Sequence, residues 1–321
     1  MNADEAAKAV NALVSGWSSR VVLPAVRSRP VLVEPIPAGM GTARPGLRRL
    51  TRTVALGGGG LTLLGVTGVG VLVAEARMAK RWIEPRMPAA HALDGRYDLA
   101  GRVPDDGLFE DDPVLVGVLG DSAAAGVGAD SPAGTPGVLL ATGVAAALGR
   151  QVELTVSTRS GAVSAELEGQ TDRLLERVAR PDVVLVIVGG NDVQRRVPAG
   201  QAAALLRATV ARLVALGTHV VVGTTPDLGT ITQVAQPLRA LGGRWSRQLA
   251  TAQAAAVLNA GGHPVDLRAV LADDLRADPS VLFSEDRFHP SAEGYRRVMA
   301  HVVPVAVGAL TVTLHPVVTG G

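Results

Sequence analysis

The sequence predicts an α/β protein built on a parallel sheet that helices cover on both faces. From residue 113 onward, short β-branched runs alternate with stretches of Ala, Leu and Arg that have helical periodicity. Continuously apolar strands that alternate with helices are typical of a buried parallel sheet, in which ligands bind beyond the carboxyl ends of the strands. The five runs that we predict as strands are Val114–Leu119, Val152–Val156, Val183–Val188, Val220–Gly223 and Val265–Leu267.

The amino-terminal part of the chain differs in charge from the rest. Residues 1–90 contain 12 Lys and Arg against five Asp and Glu, whereas residues 91–321 contain 19 against 24. Residues 1–52 show no sustained periodicity, so we expect a flexible basic arm. An arm of this charge suits an anionic membrane surface better than a nucleic-acid groove, because the folded part carries no positive excess.

An uncharged run of 22 residues, Thr53–Ala74, follows the arm. A helix of this length can cross a bilayer, and three arginines lie within residues 48–52. Its seven glycines weaken the helix prediction and leave open a buried helix of a soluble domain. We expect a transmembrane or signal-anchor helix, with the amino terminus inside and the remainder of the chain outside.

The remaining residues divide into a linker and a folded domain. Residues 75–112 contain several prolines and many charges, which predicts a linker. The strand and helix pattern begins at residue 113 and continues to the end, so we assign residues 113–321 to a folded domain. Translation from Met40 would give a product that opens with an arginine-rich segment and the apolar run, which is the pattern of a signal anchor.

Four short polar segments each follow an apolar run. They are Gly120-Asp121-Ser122, Ser160-Gly161, Gly189-Gly190-Asn191-Asp192 and Asp286-Arg287-Phe288-His289. Together they offer a hydroxyl nucleophile in Ser122, a backbone donor in Gly161, an amide donor in Asn191, and a histidine with a carboxylate three residues before it. These groups are what acyl transfer through a serine requires.

Each of these segments also has a purely structural explanation. For catalysis, we expect Ala123-Ala124-Ala125 to open a short helix, which would expose the Ser122 hydroxyl at a strand-to-helix turn. Without catalysis, Asp121 and Ser122 could form an ordinary turn, Gly161 could be a turn residue, and Asn191 could cap the next helix. An Asp-x-x-His sequence is usually a surface pair. The occurrence of all four segments in one chain, in this order, favours a catalytic site over four unrelated structural turns and caps.

Several other classes of function are disfavoured. The chain has no cysteine, no Gly-x-Ser-x-Gly elbow, no Walker A motif and no His-Glu-x-x-His, and its lysines are Lys8 and Lys80, both before the folded part. Aromatic residues make up 2% of the chain, which disfavours base stacking on single-stranded nucleic acid. We expect no metal and no organic cofactor.

Residues 113–310 resemble the SGNH, or GDSL-type, serine hydrolases, because all four sequence blocks of that family occur in order. The first block reads Val118-Leu119-Gly120-Asp121-Ser122-Ala123-Ala124-Ala125-Gly126-Val127-Gly128, the second is centred on Gly161, the third on Gly190-Asn191-Asp192, and the last on Asp286 and His289. The resemblance implies a three-layer α/β/α sandwich with a flavodoxin-like parallel sheet. Ala123 replaces the leucine that is common after the serine of the first block.

The same resemblance implies a role for each site residue. Ser122 is expected to be the nucleophile, His289 the base and Asp286 its orienting acid, while the Ser122 N–H, the Gly161 N–H and the Asn191 side chain form the oxyanion hole. The basic arm and the apolar run lie outside the matched blocks, and they suggest a membrane-anchored bacterial subgroup.

We therefore expect a serine ester hydrolase that acts on short-chain carboxylic esters or lipid-derived esters, as an esterase, a lipase or a lysophospholipase. The alternatives are a deacetylase or O-acyltransferase that acts on a cell-envelope glycan, and a binding domain without catalysis. Small side chains after Ser122 predict an open, shallow acyl site. The expected partners are a small ester substrate and a membrane, with no nucleic acid.

Overall fold

A seven-stranded mixed sheet forms the centre of the fold. The computed structural model describes Glu75 and residues 91–104, 112–272 and 279–314, all of which belong to one compact unit, Glu75–Gly321. The predicted arm, residues 1–52, and the predicted apolar helix, residues 53–74, lie outside the described residues. Within the described ranges, no helix is long and apolar enough to cross a membrane.

The sheet contains the five predicted parallel strands and two strands that the sequence did not predict. Its order is β2-β1-β4-β3-β5-β6-β7, in which β3 to β7 are parallel and β1 runs antiparallel to β2 and β4. The bounds are β1 Gly95–Asp98, β2 Gly101–Arg102, β3 Val114–Gly120, β4 Val152–Thr158, β5 Val183–Ile187, β6 His219–Gly223 and β7 His263–Val265. The order of the parallel strands is the flavodoxin-like order.

The β1–β2 hairpin corrects the expectation of a five-stranded, purely parallel sheet. It lies within the residues that we interpreted as a linker, and it covers the free edge of β4. Its strands are four and two residues long and are rich in Gly, Arg and Asp, so they carry no apolar periodicity. The fifth parallel strand also lies two residues earlier than predicted, because the Asp266 side chain accepts the Arg268 N–H and begins a helix there.

Helices cover both faces of the sheet and give three layers. Side chains alternate between the faces along β5, where Val183, Leu185 and Ile187 join one core cluster and Val184 and Val186 join the other. Helices α1 and α8 pack in the first cluster, and α2, α4 and α5 pack in the second. The helices are α1 Pro136–Leu148, α2 Leu167–Arg177, α3 Gly190–Gln194, α4 Ala199–Ala215, α5 Leu238–Asn259, α6 Leu267–Val270, α7 Pro279–Leu282 and α8 Ala292–Leu314.

Candidate active site

Three of the predicted site residues form a continuous hydrogen-bonded chain. The Ser122 Oγ lies 2.9 Å from the His289 Nε2, and the His289 Nδ1 lies 2.5 Å from the Asp286 Oδ2. All three side chains are buried, with Ser122 9%, His289 4% and Asp286 0% exposed. The serine and the histidine are 167 residues apart in sequence, so the fold itself brings them together.

The end of β3 fixes the backbone that leads to Ser122. Gly120 has φ +137, and a Cβ at this position would collide with the Ile187 carbonyl oxygen on β5. The Gln170 side chain holds the same residue from both sides, accepting the Gly120 N–H at 2.7 Å and donating to the Gly120 carbonyl at 2.9 Å. Ser122 therefore follows a strand end whose position is determined by both neighbouring strands and by α2.

Residues 122–128 form consecutive turns and not the short helix that we expected after Ser122. The Val127 N–H donates to the Ser122 carbonyl, and Gly126 and Gly128 have φ +76 and +103, which a helix does not allow. The buried Tyr295 hydroxyl on α8 donates to the Val127 carbonyl at 2.7 Å. The space left by a missing side chain at Gly128 is filled by the backbone of Pro290, next to His289.

The Asp286 side chain holds the loop that carries it and His289 through hydrogen bonds to neighbouring residues of that loop. The Asp286 Oδ1 accepts the backbone N–H groups of Phe288 and His289, each at 2.9 Å, and the Ser284 hydroxyl at 2.8 Å. Burial alone would raise the pKa of Asp286, but the hydrogen bonds from the His289 side chain and from these two N–H groups outweigh it and lower that pKa below its usual value. The lowered pKa favours the anionic form of Asp286, which lies against the His289 imidazole.

The two remaining predicted residues, Gly161 and Asn191, lie at the ends of the strands on either side of β3. Asn191 is on α3, directly after β5, and its side-chain amide donates to the Asp121 Oδ2 at 3.3 Å. Gly161 lies in the turn after β4, with φ +79, and its carbonyl accepts the Arg195 guanidinium at 2.8 Å. Within the described residues, the Gly161 N–H meets no hydrogen-bond acceptor. The strand order therefore brings both segments to the same edge of the sheet as Ser122.

Asp121 is a site residue whose importance sequence reasoning missed. Burial raises its pKa to about 6, and the nearby Asp192 adds to that rise, whereas the Ala123 N–H, His289 and Asn191 favour its charged form. Its carboxylate accepts the Ala123 N–H at 2.9 Å as well as the Asn191 amide. The adjacency of Asp121 to Ser122 was visible in the sequence, but its contact with Asn191, 70 residues away, was not.

An apolar cavity opens beside Ser122 and His289. Its volume is about 120 Å³, and its walls include Ser122, Asp121, Asn191 and His289 but not Gly161. Most of the other wall positions are apolar and come from several elements: Ala123, Ile187, Val188, Pro226, Leu228, Ile231, Leu267, Leu271, Leu282, Phe283, Phe288, Pro290 and Val298. Such a cavity can take an apolar group attached to a reacting carbonyl.

The other histidines that the structure describes do not join this arrangement. The His91 ring contacts the Ala129 carbonyl, and His219 and His263 lie together at the start of β6 and β7, at the opposite end of the strands. No group of three or more His, Cys, Asp or Glu side chains among residues 91–104, 112–272 and 279–314 is placed to share a metal ion.

Comparisons with known proteins identify the family to which the chain belongs. Residues 118–297, more than half of the chain, match the model of the GDSL-like Lipase/Acylhydrolase family. A GDSL-like esterase of Mycobacterium tuberculosis is 39% identical over 249 residues, which cover 75% of this chain and 76% of that protein.

Similar solved structures include TesA, which is 21% identical with a TM-score of 0.49. The match covers 61% of this chain and 99% of the TesA chain. A variant of an acetyl-xylooligosaccharide esterase from Geobacillus stearothermophilus is 21% identical with a TM-score of 0.47, covering 60% of this chain and 93% of its own. The extent of the family match and the identity to the mycobacterial esterase lead to one conclusion: the chain belongs to the GDSL-like lipase/acylhydrolase family and is a carboxylic ester hydrolase.

Proposed function

We propose that the protein hydrolyses carboxylic esters through an acyl-enzyme on Ser122, with His289 as the base and Asp286 as its orienting anion. The observation that carries the proposal is the buried chain from Ser122 Oγ to His289 Nε2 and from His289 Nδ1 to Asp286, at the wall of an apolar cavity. A nucleophile within hydrogen-bond reach of a base, itself oriented by a third group, is the arrangement that serine catalysis needs.

The residues divide the reaction into two displacements. The His289 Nε2 takes the Ser122 proton as Oγ bonds to the ester carbonyl carbon, and the carbonyl electron pair moves onto oxygen. The Ser122 N–H, the Gly161 N–H and the Asn191 amide are the proposed donors to that oxyanion. Its collapse breaks the bond to the alcohol oxygen, which leaves with the proton from His289. Water then attacks the acyl carbon by the same route and releases the acid and the free serine.

We propose short apolar acyl groups, of about two to six carbons, as the preferred part of the substrate. The support is the combination of apolar walls and a small cavity, about 120 Å³, next to the nucleophile. Each methylene that the cavity buries would contribute about 0.8 kcal/mol, or up to about fourfold in kcat/KM. The rate should therefore rise over the first few carbons and stop rising once the cavity is full.

The nucleophile is tested with Ser122→Ala and a fluorophosphonate probe. Wild-type protein should turn over 4-nitrophenyl esters and be labelled by the probe, and Ser122→Ala should do neither while keeping its melting temperature. Ser131→Ala is the matched control, because Ser131 lies in the same connection and its hydroxyl, within the described residues, hydrogen-bonds to Asp130 and not to His289. Full turnover by Ser122→Ala would rule out the assignment.

The substrate is tested with a series of acyl esters from two to twelve carbons. A rate that climbs without a break beyond about ten carbons would contradict the small cavity and favour a lipid-derived ester. A second arm supplies a sugar acceptor, since transfer of the acyl group to the sugar in place of water would identify an O-acyltransferase. Release of acetate only from an acetylated glycan would identify a deacetylase.

We also propose that the full chain is anchored in a membrane through residues 53–74, with its catalytic domain outside the cytoplasm. The support is the length of the uncharged run and the arginines before it. The full chain should resist extraction from membranes by high salt and be released by detergent. Leu64→Arg, at the centre of the run, should weaken this retention while leaving the basic arm intact. Release of wild-type protein by salt alone would mean that the basic arm makes only a peripheral contact and that residues 53–74 do not span the membrane.

A further inference from the structure

The short helix α3 holds the loop after β4 at two points. The buried carboxylate of Asp192 accepts the Ser164 backbone N–H, with both oxygens 3.1 Å from the nitrogen. Three residues further on, the Arg195 guanidinium donates to the Gly161 carbonyl at 2.8 Å. Residues 161–164 are thus held at both ends, by one residue on the helix that carries Asn191 and by the residue that directly follows that helix.

The two contacts differ in their surroundings. Asp192 is fully buried, and burial raises the pKa of its carboxyl although the bonds from Ser164 and the charge of Arg195 favour ionisation. Arg195 is exposed and lies at the carboxyl end of α3, where its own backbone N–H donates to the Asn191 carbonyl at 2.9 Å. A single residue therefore contacts both segments that carry proposed oxyanion donors: Asn191 through its backbone and Gly161 through its side chain.

Gly161 depends on such a contact because its backbone has little else to restrain it. A glycine with φ +79 has no side chain to limit its dihedral angles, and a Cβ built there would meet nothing closer than the Arg195 Nη2, at 3.9 Å. The Gly161 carbonyl and the Ala162 N–H belong to one peptide unit, and the bonds to Arg195 and to the Arg159 carbonyl hold that unit at both ends. The Gly161 N–H belongs to the preceding unit, so its direction depends on how firmly this held unit fixes the turn.

We propose that Arg195 is a positioning residue: by anchoring the Gly161 carbonyl it holds the turn after β4, so that the Gly161 N–H and the Asn191 amide point at the same oxyanion. This inference rests on the proposed function. Arg195 touches no reacting atom. Misalignment of an oxyanion donor weakens a hydrogen bond that forms chiefly in the transition state. Loss of Arg195 should therefore lower kcat and leave KM nearly unchanged.

The test compares neighbouring arginines on one scaffold. Arg195→Gln should lower kcat about tenfold, less than the loss of a donor, with KM within about twofold of wild type. Arg196→Gln is the matched control, because the Arg196 guanidinium lies over the Trp245 ring, 5.9 Å from its centroid, and makes no contact with Gly161. Its kcat should be that of wild type. Melting temperatures of both variants should stay close to wild type, since both side chains are exposed.

Chemical rescue separates positioning from general destabilisation. Arg195→Ala leaves room for a free guanidinium ion, so guanidinium chloride below denaturing concentration should restore part of its kcat and should not raise that of wild type. Arg195→Lys is the second variant in case Arg195→Ala does not fold. It keeps the charge and one donor, and its kcat should lie between those of wild type and Arg195→Gln.

Two results would overturn the inference. One is a wild-type kcat in Arg195→Gln. The other is a loss of kcat in Arg195→Gln that Arg196→Gln also shows, or a loss that is restored neither by guanidinium in Arg195→Ala nor by the lysine of Arg195→Lys. These results are distinct from failure of the proposed function, which would appear as absent turnover or absent Ser122 labelling in the wild-type protein itself.

Discussion

Among single residues, Asp121 shows how the environment changes the chemistry of an ordinary carboxyl. It is buried beside Ser122, its pKa is raised to about 6, and its oxygens bind the Ala123 N–H and the Asn191 amide. An ionised Asp121 is the better acceptor for both donors. Ionisation of the buried Asp121 carboxyl therefore lowers the free energy of unfolding at neutral pH, but the ionised group binds the Asn191 amide more strongly.

Asp121→Asn should change how stability depends on pH. Because the folded-state pKa of Asp121 lies above the ordinary 3.8, its favourable contribution is complete below about pH 4 and is lost as the pH rises to about 6. The difference in unfolding free energy between wild type and Asp121→Asn should therefore fall by up to about 3 kcal/mol between pH 4 and pH 7. Urea unfolding at several pH values measures it, and a difference that stays flat would contradict the raised pKa.

Asn191→Ala tests the amide that Asp121 orients. Removing one preorganised oxyanion donor should lower kcat by roughly 10²–10³ with a small change in KM, because the donor acts on charge that develops in the transition state. Initial rates over a range of ester concentrations separate the two parameters. An effect confined to KM would mean that Asn191 binds the substrate and does not stabilise the oxyanion.

At the scale of elements, the turns after Ser122 and the loop that carries His289 depend on each other. Gly128 has φ +103, and the backbone of Pro290 occupies the space where a Cβ would lie. Tyr295 on α8 holds the same turns through the Val127 carbonyl. The distance between Ser122 and His289 is therefore set by the contact between two loops as well as by the sheet.

Gly128→Ala should displace the His289 loop and lower kcat/KM by at least about tenfold, since a shift near 1 Å in a reacting group can cost about 100-fold. Gly200→Ala is the matched control, because a methyl at this position of α4 meets no other atom within 4 Å. Its activity should be unchanged. Equal activity in the two variants would show that the loop contact does not set the catalytic distance.

For the whole molecule, the β1–β2 hairpin completes the sheet by covering the edge of β4. Tyr97 is 2% exposed in the core cluster that α1 and α8 share, and its hydroxyl donates to the Leu93 carbonyl at 2.6 Å. None of the hairpin residues lines the cavity beside Ser122. The hairpin thus contributes to stability without a part in the chemistry.

Tyr97→Ala should destabilise the protein by about 3–5 kcal/mol, as expected for removing a buried aromatic ring, with little change in kcat for the molecules that remain folded. Tyr97→Phe loses only the hydrogen bond and should cost about 1 kcal/mol. Chemical denaturation gives both values. A small loss in Tyr97→Ala would mean that the hairpin is an appendage and not part of the core.

Local patterns in the sequence determined the α/β class and the five parallel strands. Continuous β-branched runs and helical periodicity report which residues are buried without reference to distant parts of the chain. The segments with Ser122, Asn191, Asp286 and His289 were recognisable for the same reason, because each is a short motif at a strand end or in one loop. The β1–β2 hairpin was missed because its six strand residues have no apolar period.

Tertiary structure alone decided the contacts that join distant residues. The 2.9 Å approach of Ser122 to His289 spans 167 positions, and the bonds from Asn191 to Asp121 and from Arg195 to Gly161 span 70 and 34. The cavity collects single side chains from many elements. A hydrogen bond or a cavity wall depends on distances and burial that exist only after the layers pack. No local pattern therefore encodes the raised pKa of Asp121 or the contact of Arg195 with the Gly161 carbonyl.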